Sequence, residues 1–345
     1  MLKFKFFGYL FLITVSFIAI ISAGVFLLSL SVGLMTEKKM IVPDIEVLKR
    51  VQKVYYRGGF RNIWQYDEDC YELDEDLIYK PKIGKCNFEN IEFKTILNFD
   101  ENGRIHNSSF NKNFKKIAVL GDSHGMGWGV NDDETFSNLL QNLTQRRVYN
   151  LSVSSYATEI EIKSFLRHPD IDNIDTVIIQ YDFGDRRDNL KFPIDTKLAN
   201  KIFNEKSKNY LEIQKKALKR NFEFAVRGII SHYMPNKIKS FLKTYVIKNN
   251  KNTITIDDKV HKKNILIILK YYQEYLKDKK IIIFFISGNG NTETPSNWIE
   301  NNEYSALDLE FIDIELSSDN YFIIDDHINK KGHEALAYKL LNKIR

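Results

Sequence analysis

This 345-residue chain lacks both a metal-ligand pattern and a recognised nucleic-acid-binding module. It has two cysteines and seven histidines, and no cluster of histidine, cysteine and carboxylate residues shows the spacing of metal ligands. We therefore expect neither a metal nor another cofactor. Nucleic acid is not an expected partner either, although the formal net charge is +5, because no module accompanies that charge.

Charged residues are absent from Phe6 to Thr36, and this apolar run exceeds the roughly 20 residues needed to span a bilayer. We interpret residues 1–36 as a transmembrane anchor. A cleaved signal peptide is the alternative, although its apolar region is usually only about 7 to 15 residues long. Lysines flank the run on both sides, so the positive-inside bias is slight. Because such an anchor usually leaves a large soluble domain across the membrane, we expect a periplasmic or extracytoplasmic location.

Residues 37–113 form a lead-in region in which short strands and turns are predicted, for instance from Glu92 to Phe99. The sequence assigns this region no function. Cys70 and Cys86 close a loop of about 15 residues, for which a disulfide would add roughly 3 kcal/mol in an oxidising compartment. Two unrelated thiols are the alternative, and the sequence leaves both open.

Strands and helices alternate over the rest of the chain, a pattern typical of a parallel sheet covered by helices. The predicted strands are Ile117 to Leu120, Val148 to Val153, Thr176 to Tyr181, Lys280 to Ser287, Phe311 to Leu316 and Tyr321 to Ile324. The predicted helices begin at Asp132 or Asp133 and end near Gln141, run from Thr158 to Arg167, and run from Glu334 to Ile344. The fold class predicted is therefore α/β.

A basic insertion, residues 191–260, separates the third and fourth of these strands. Between residues 191 and 250 there are 14 Lys and Arg against 4 Asp and Glu. Its apolar residues are spaced as in helices, at Phe222, Ala225, Val226, Ile229 and Ile230, and again at Ile238, Phe241, Leu242 and Tyr245. Two interpretations remain open: a helical lid over the active site, or an amphipathic surface that rests on anionic lipid.

A candidate nucleophile follows the first of these strands. The apolar run stops at Gly121-Asp122-Ser123, which predicts a tight turn with Ser123 at the carboxyl end of a buried strand, where open α/β sheets bind ligands. A serine hydroxyl becomes a good nucleophile when a histidine accepts its proton and an acid orients that histidine. Asp325 and His327 could supply both roles from one loop. The structural alternatives are an incidental serine in a glycine-rich turn and a surface histidine that caps the last helix.

Three neighbouring residues are weaker candidates. Asp326 is the rival acid. His124 adjoins the nucleophile, but neighbouring side chains on a tight turn point apart, so we expect no catalytic role for it. His333 is expected to pack or cap within the last helix.

Five segments in order carry a family resemblance. They are the Gly121-Asp122-Ser123 turn, GWGVNDDETFSNLL (127–140), YNLSVSSYATEIE (149–161), VIIQYDFGDRRDN (177–189) and Asp325-x-His327-x-Asn-x-x-Gly-His333. Together they resemble the SGNH (GDSL-like) hydrolase family over residues 115–345. The resemblance implies a flavodoxin-like three-layer α/β/α sandwich, which we assign to residues 114–345. It also implies a Ser123, His327 and Asp325 triad, because Asp-x-His is the family's spacing.

The same resemblance implies an oxyanion hole with two departures. In the family the donors are typically the serine N–H, a glycine N–H in the second block and an asparagine side chain in the third. Here Ser155 occupies the glycine position and Gly184 the asparagine position. Ser155 keeps a backbone N–H, whereas Gly184 has no side chain, so one donor is missing unless Asn189 or another group replaces it. Loss of one donor costs on the order of 3 kcal/mol in the transition state.

The expected function is a serine ester hydrolase of the carbohydrate O-acetyl esterase type. The resemblance implies this, because membrane-anchored SGNH proteins are similar to those that remove or transfer acetyl groups on cell-surface polysaccharides. The expected partners are an acylated small molecule or polysaccharide and the membrane. Two alternatives remain: an O-acyltransferase that acts on the same substrates, and a catalytically weakened protein that binds or assembles glycans. The turn also fits the G-x-S-x-G elbow of α/β-hydrolases, but that class predicts the acid and histidine on separate loops and an HGGG-like segment, and the sequence has neither.

Overall fold

The computed structural model describes residues 2–233, 258–287 and 306–344. Its helices are α1 (Leu2–Glu37), α2 (Glu46–Tyr55), α3 (Ser123–Met126), α4 (Phe136–Thr144), α5 (Thr158–Leu166), α6 (Phe183–Asn189), α7 (Thr196–Lys208), α8 (Tyr210–Tyr233), α9 (Asp258–Tyr271), α10 (Gln273–Leu276) and α11 (Lys330–Ile344). Its strands are β1 (Tyr71–Asp74), β2 (Ile78–Pro81), β3 (Gly84–Glu89), β4 (Lys94–Asp100), β5 (Gly103–Arg104), β6 (Lys116–Leu120), β7 (Val148–Asn150), β8 (Ile174–Tyr181), β9 (Lys280–Ser287) and β10 (Asp308–Glu315). The second apolar set of the basic insertion, Ile238 to Tyr245, lies outside the described residues.

The chain divides into two compact units, of which one comprises residues 1–61 and 209–254. In its described part, α1, α2 and α8 pack around a small apolar core formed by Val32, Val42, Val47, Val51, Tyr55, Ala225 and Ile229. The hydroxyl groups of Ser29 and Tyr55 lie 3.0 Å apart and join α1 to α2. Within the described residues, α1 is the one helix long and apolar enough to cross a membrane, over Tyr9–Glu37.

The other unit, residues 62–208 and 255–345, is built on an eight-stranded sheet in the order β10-β9-β8-β6-β7-β5-β4-β3. The first five strands of this order pair in parallel. Numbered along the chain, these five lie in the order 2-1-3-4-5, which is flavodoxin-like. Strands β5, β4 and β3 continue the sheet in antiparallel pairing. The predicted α/β class and flavodoxin-like sheet are therefore confirmed.

Helices cover both faces of the parallel strands. Alternate residues of each strand enter different cores, because successive side chains point to opposite faces of a sheet. One core includes Phe165 of α5 and Leu269 of α9. The other includes Leu140 of α4 and Leu336 of α11. The result is the predicted three-layer α/β/α sandwich.

The lead-in region contains the short strands that its sequence predicts. Strands β1 and β2 form a separate antiparallel pair, while β3 to β5 extend the main sheet. A disulfide joins Cys70 to Cys86, so the segment before β1 is tied to β3. Both half-cystines lie in a third apolar core, together with Trp128 from the loop after α3.

The predicted domain boundaries after residues 36 and 113 remain predictions. Contacts within the chain separate it after Arg61 and around residues 209–254. Residues 37–61 thus pack with the N-terminal helix, whereas residues 62–113 pack with the sheet. The lid and lipid interpretations of the basic insertion also remain predictions.

The helix predicted to begin at Asp132 or Asp133 begins instead at Phe136. Asp132–Glu134 forms a separate 3-10 turn, and Thr135 caps the following helix because its Oγ1 accepts the N–H of Asn138. The capping hydroxyl is better placed than the aspartates, which are used to form the preceding turn.

The segment Tyr321 to Ile324 is not the strand that its apolar residues predict. It makes one isolated bridge, between Tyr321 and Ile328. The N–H groups of Ile323 and Ile324 donate to the carboxylate of Glu92, so they do not pair with a neighbouring strand. The strand predicted from Val148 to Val153 ends at Asn150. Hydrogen bonds to the neighbouring segment nevertheless continue beyond it, since Val153 N donates to Gly121 O at 3.0 Å.

Replacing both cysteines, as Cys70→Ser with Cys86→Ser, is expected to lower the free energy of unfolding by about 3 kcal/mol. The physical reason is that the unfolded chain regains the freedom of a loop whose ends are 16 residues apart. Urea denaturation followed by tryptophan fluorescence measures the change. Reductant should shift the midpoint of the wild type and leave that of the double variant unchanged. Equal midpoints for the wild type and the double variant, both measured without reductant, would show that the disulfide adds no stability.

Candidate active site

Ser123 lies on a turn between strand β6 and the short helix α3. The neighbouring strand β8 holds this turn, because Gln180 Oε1 accepts the N–H groups of Asp122 and Gly125, both at 3.1 Å. The Asp122 side chain accepts the N–H of His124 at 2.9 Å and caps the helix. Ser123 is therefore fixed at the carboxyl end of β6, beside the point where the strand order reverses, which is where open α/β sheets bind ligands.

A buried arginine from the lead-in region supports the residues that follow Ser123. Arg104 donates to the carbonyl oxygens of Met126, Gly127 and Val130, at 2.7, 2.6 and 2.6 Å, and its Nε pairs with Asp132 at 2.8 Å. These acceptors compensate for the hydration that a buried guanidinium loses. Gly127 has a φ of +87°, and a Cβ there would lie 2.6 Å from Arg104 Nη1. Glycine thus allows both the turn and the close approach of the guanidinium.

The structure brings Ser123, Asp325 and His327 together. His327 Nε2 lies 2.7 Å from Ser123 Oγ, and His327 Nδ1 lies 2.5 Å from Asp325 Oδ1. The carboxylate of Asp325 favours the tautomer with the proton on Nδ1, which leaves Nε2 to accept from the serine hydroxyl. All three residues are at least nine-tenths buried, and burial strengthens such hydrogen bonds. The arrangement can transfer a proton from serine to histidine.

An indole ring completes the surroundings of His327. Trp128 stacks on the imidazole, with ring centroids 4.6 Å apart and planes 13° apart. Its Nε1 also donates to Asp325 Oδ2 at 3.3 Å, while Asp325 Oδ1 accepts the backbone N–H of His327 at 3.1 Å. The aromatic face would favour an imidazolium at this position, and the indole N–H orients the carboxylate.

The rival residues lie nearby but make different contacts. Asp326 is exposed, and it is Asp325 whose oxygen lies against His327 Nδ1. His124 does not point away as expected: its ring centroid lies 4.7 Å from that of His327, because both Ser123 and His124 belong to a helix, where successive side chains diverge by only about 100°. The Ser123 hydroxyl nevertheless contacts His327.

His333 is fully buried in α11, and its role is to cap another helix. Its Nδ1 accepts the N–H of Phe136 at 3.3 Å, at the start of α4. Burial holds the pKa of His333 well below its usual range. The sequence predicts that His333 packs or caps within the last helix; it does pack there, but the backbone N–H that it accepts belongs to α4.

Ser155, in the loop after β7, adopts the left-handed backbone conformation with a φ of +64°. That region favours glycine, which gives a physical reason for the glycine that the resemblance places there. The Ser155 hydroxyl accepts from Gln65 Nε2 at 3.1 Å. Its side chain is therefore held by the lead-in region.

Gly184, after β8, is exposed and offers no side-chain donor. Its N–H donates to Asp182 Oδ2 at 2.9 Å as part of a helix cap. Asn189, the possible substitute, is buried and donates from Nδ2 to Thr158 Oγ1 at 2.9 Å. Ser123, Ser155 and Gly184 follow three adjacent strands, but the third position lacks the donor that the family pattern provides.

Three buried carboxyl groups interact with one another around the turn that carries Ser123: Asp122, Glu161 and Asp185. Burial, followed by the charge of Asp182, raises the pKa of Asp122 to about 7. Burial also raises the pKa of Glu161 and of Asp185 well above the usual range, and the negative charges of the cluster add to both shifts. Neither carboxyl oxygen of Glu161 has a hydrogen-bond partner among the described residues. In all three groups, burial and the neighbouring charges therefore favour the protonated form over the ionised form.

Among the described residues, one group has side-chain atoms close enough to hold a metal ion. Asp325, Asp326 and His327 each place a nitrogen or oxygen within 4.8 Å of the others. Both ring nitrogens of His327, however, already bond to Ser123 and Asp325. These bonds orient the histidine for proton transfer, so the geometry favours acid–base chemistry at this group.

Three residues of the site were not identified from the sequence. Trp128 lies inside segment 127–140 of the family resemblance, so that segment could have indicated Trp128 as a candidate for contact with the site. Gln180 is a polar residue inside an apolar strand, which is a signal for a buried hydrogen bond. Arg104 has no such signal, because its partners are backbone carbonyl groups distant in sequence.

No protein-family model matches the chain, and no curated protein matches it. Among solved structures, it is similar to a protein assigned to the G-D-S-L lipolytic family from Desulfitobacterium hafniense, at 12% identity and a TM-score of 0.37 over 66% of this chain and 98% of that one. It is also similar to a carbohydrate esterase family 2 enzyme with a carbohydrate-binding domain from Corynascus thermopiles (Myceliophthora fergusii), at 12% identity and a TM-score of 0.36 over 70% and 68%. A protein described as an acylhydrolase from Bacteroides fragilis has 11% identity and a TM-score of 0.34 over 68% and 90%. At these values the functional argument rests on the geometry of the site.

The buried carboxyl cluster predicts that stability falls as pH rises from about 4 to above 7, because the folded state holds protons that the unfolded chain has released. Glu161→Gln removes one of these groups and is expected to raise the melting temperature at pH 8 by about 3 °C, with little effect at pH 4.5. Differential scanning fluorimetry from pH 4.5 to 8.5 measures this. The exposed Glu334→Gln is the matched control. Parallel curves for wild type and Glu161→Gln would contradict the prediction.

Proposed function

We propose that the protein is a serine ester hydrolase that uses Ser123 as nucleophile, His327 as general base and acid, and Asp325 as the group that orients the histidine. The observation that carries this proposal is the 2.7 Å separation of His327 Nε2 and Ser123 Oγ. That separation lies within the reach a general base needs, and Asp325 fixes the other ring nitrogen at 2.5 Å.

The reaction would proceed in two steps. Ser123 Oγ attacks the ester carbonyl while His327 Nε2 takes the hydroxyl proton, and collapse of the tetrahedral intermediate breaks the carbon–oxygen bond and returns the proton to the leaving alcohol. Water then attacks the acyl-enzyme, with His327 as base, and the acid and free Ser123 are released. Trp128 and Asp325 stabilise the imidazolium in both steps.

The proposed oxyanion donors are the backbone N–H groups of Ser123 and Ser155, at the ends of neighbouring strands. Gly184 holds the third position without a side-chain donor. An oxyanion hole with one donor fewer would support slower chemistry, because each donor is worth about 3 kcal/mol in the transition state.

For the substrate we propose an O-acetyl or similar acyl ester on a cell-envelope glycan. Helix α1 would anchor the protein in the membrane, and the disulfide between Cys70 and Cys86 fits an oxidising compartment outside the cytoplasm. Transfer of the acyl group to a sugar hydroxyl is the same chemistry with another acceptor, because either water or an alcohol can attack the acyl-enzyme.

A second candidate function is a glycan-binding or assembly role with little or no catalysis. Gly184 is the observation that favours it, since the third oxyanion donor is absent from that position. The paired Ser123, Asp325 and His327 argue against it, because a binding protein has no need for an aligned proton relay.

Hydrolysis of p-nitrophenyl acetate by the detergent-solubilised full-length protein tests the triad. Ser123→Ala and His327→Ala are expected to lose activity by about three orders of magnitude or more, to the buffer rate, since nucleophile and base act as a unit. Asp325→Asn should lose at least about 10³-fold, because the histidine then adopts the wrong tautomer. A serine-directed fluorophosphonate should label the wild type and fail to label Ser123→Ala.

The matched control is Asp326→Asn, the same substitution on the exposed neighbour, which should keep activity within about twofold. If the folded wild type neither hydrolyses the ester nor reacts with the fluorophosphonate, the hydrolase proposal fails and the binding role is favoured. Loss of activity in Asp326→Asn but not in Asp325→Asn would assign the acid differently.

Restoring the missing donor should increase activity. A Cβ at Gly184 would meet nothing closer than Asp182 Oδ2 at 3.4 Å, so a side chain can begin there without displacing the backbone. Gly184→Asn is expected to raise kcat by about tenfold or more, because a single oxyanion donor is worth 10²- to 10³-fold where it is well placed. Gly184→Ala, which adds the Cβ without the donor, should behave as wild type. Equal kcat values for the two variants would show that this position does not face the oxyanion.

A further inference from the structure

The lead-in region contacts the loop that carries the acid and the histidine. Glu92 Oε1 accepts the backbone N–H of Ile323 at 2.6 Å, and Glu92 Oε2 accepts those of Ile324 and Asp325, both at 2.7 Å. Three consecutive N–H groups that converge on one carboxylate form an anion-binding nest. Hydrogen bonds to an ionised acceptor are about twice as strong as neutral ones, so this contact holds the loop firmly.

We propose that Glu92 is a positioning residue for the proposed reaction: its carboxylate fixes the backbone of residues 323–325 so that Asp325 and His327 stay aligned with Ser123. The inference rests on the proposed function and assigns a role to the lead-in region, which the sequence leaves without one. Glu92 acts through the loop backbone: its hydrogen bonds come from the N–H groups of residues 323–325, and it acts on the serine and the imidazole only through that backbone.

The hairpin that presents Glu92 is itself well fixed. Glu92 lies in the turn between β3 and β4, which Asn90 closes by donating its N–H to Phe93 O at 2.9 Å. The Asn90 side chain accepts the N–H of Asn62 at 2.7 Å and donates to its carbonyl at 3.1 Å. Strand β3 is further tied by Cys86 to the segment before β1. A fixed support is what a positioning residue requires.

The same hairpin also reaches the acid and histidine pair through aromatic contacts. Phe88 of β3 packs edge-on against Trp128, with centroids 4.6 Å apart, and Trp128 stacks on His327. Phe93 packs against Phe322, with centroids 5.2 Å apart, just before the loop. The β3–β4 hairpin therefore supports the pair through both an aromatic contact and the Glu92 nest.

The loop depends on this support because sheet pairing does not provide it. In the described part of the chain the segment makes one isolated bridge, between Tyr321 and Ile328, and residue Ile323 is 50% exposed. Without the carboxylate, three backbone donors would have to bond to water, and the loop would open more often. Small displacements of a catalytic group reduce rates strongly.

The test combines amide exchange with kinetics on the detergent-solubilised full-length protein. In Glu92→Gln, which keeps the side-chain size but loses the charge and one acceptor, exchange of the 323–325 amides should accelerate by about tenfold or more. Exchange in β9 should stay unchanged. For p-nitrophenyl acetate, kcat should fall by about tenfold while KM stays within about twofold. Glu92→Ala should show larger effects in both measurements, and Glu92→Asp should recover part of the loss.

Glu101→Gln is the matched control, because Glu101 is exposed in the next turn of the same antiparallel strands and should leave exchange and kcat as in wild type. Unchanged exchange at residues 323–325 in Glu92→Gln would overturn the proposal, and so would faster exchange with unchanged kcat. Faster exchange in β9 as well would mean a loss of global stability and would also overturn it. If wild type has no esterase activity, the proposed function fails, and the positioning role fails with it; local exchange then reports only whether Glu92 holds the loop.

Discussion

The site depends on one hydrogen bond between residues 204 positions apart in the chain, from Ser123 to His327. No local sequence preference can bring these two side chains within 2.7 Å. The parallel sheet does so, because the carboxyl ends of its strands share one edge, where Ser123 follows β6 and the loop of His327 follows β10. The helices on both faces bury the sheet and thereby hold that edge in place.

The lead-in region has a larger share in the site than its position in the chain suggests. Gln65 and Tyr79 donate hydrogen bonds to the loop after β7, Glu92 accepts them from the loop before α11, and Arg104 donates to the end of α3 and the residues after it. Most of these bonds end on backbone groups of irregular loops, which have no strand or helix partner of their own. A buried backbone group left without a partner is costly, so these side chains stabilise loop conformations that the loops could not maintain alone.

Much of the fold follows from periodicity and from turn residues. The strand predicted at Lys280 to Ser287 has the same bounds in the structure, because a long β-branched and aromatic run between polar residues allows few alternatives. The proximity of Ser123, Asp325 and His327 could be predicted, because these residue types can form a proton relay and the segments that carry them resemble the SGNH hydrolase family. Glu92 and Arg104 could not, because they bind carbonyl and N–H groups that every residue carries. The failure at Tyr321 to Ile324 has the same cause: its apolar residues indicate a strand, but a distant carboxylate takes its backbone donors.

The order of the residues along the chain also determines when the site can exist during synthesis. Ser123 and its turn are made early, together with the lead-in strands that support them, whereas His327 is made about 200 residues later. Until β9 and β10 add to the growing edge of the sheet, the serine has no base and its hydroxyl is no more reactive than that of any other serine. A chain whose synthesis has not yet passed residue 327 therefore lacks the contact between Ser123 and His327, and with it any route for the serine proton to leave through the imidazole.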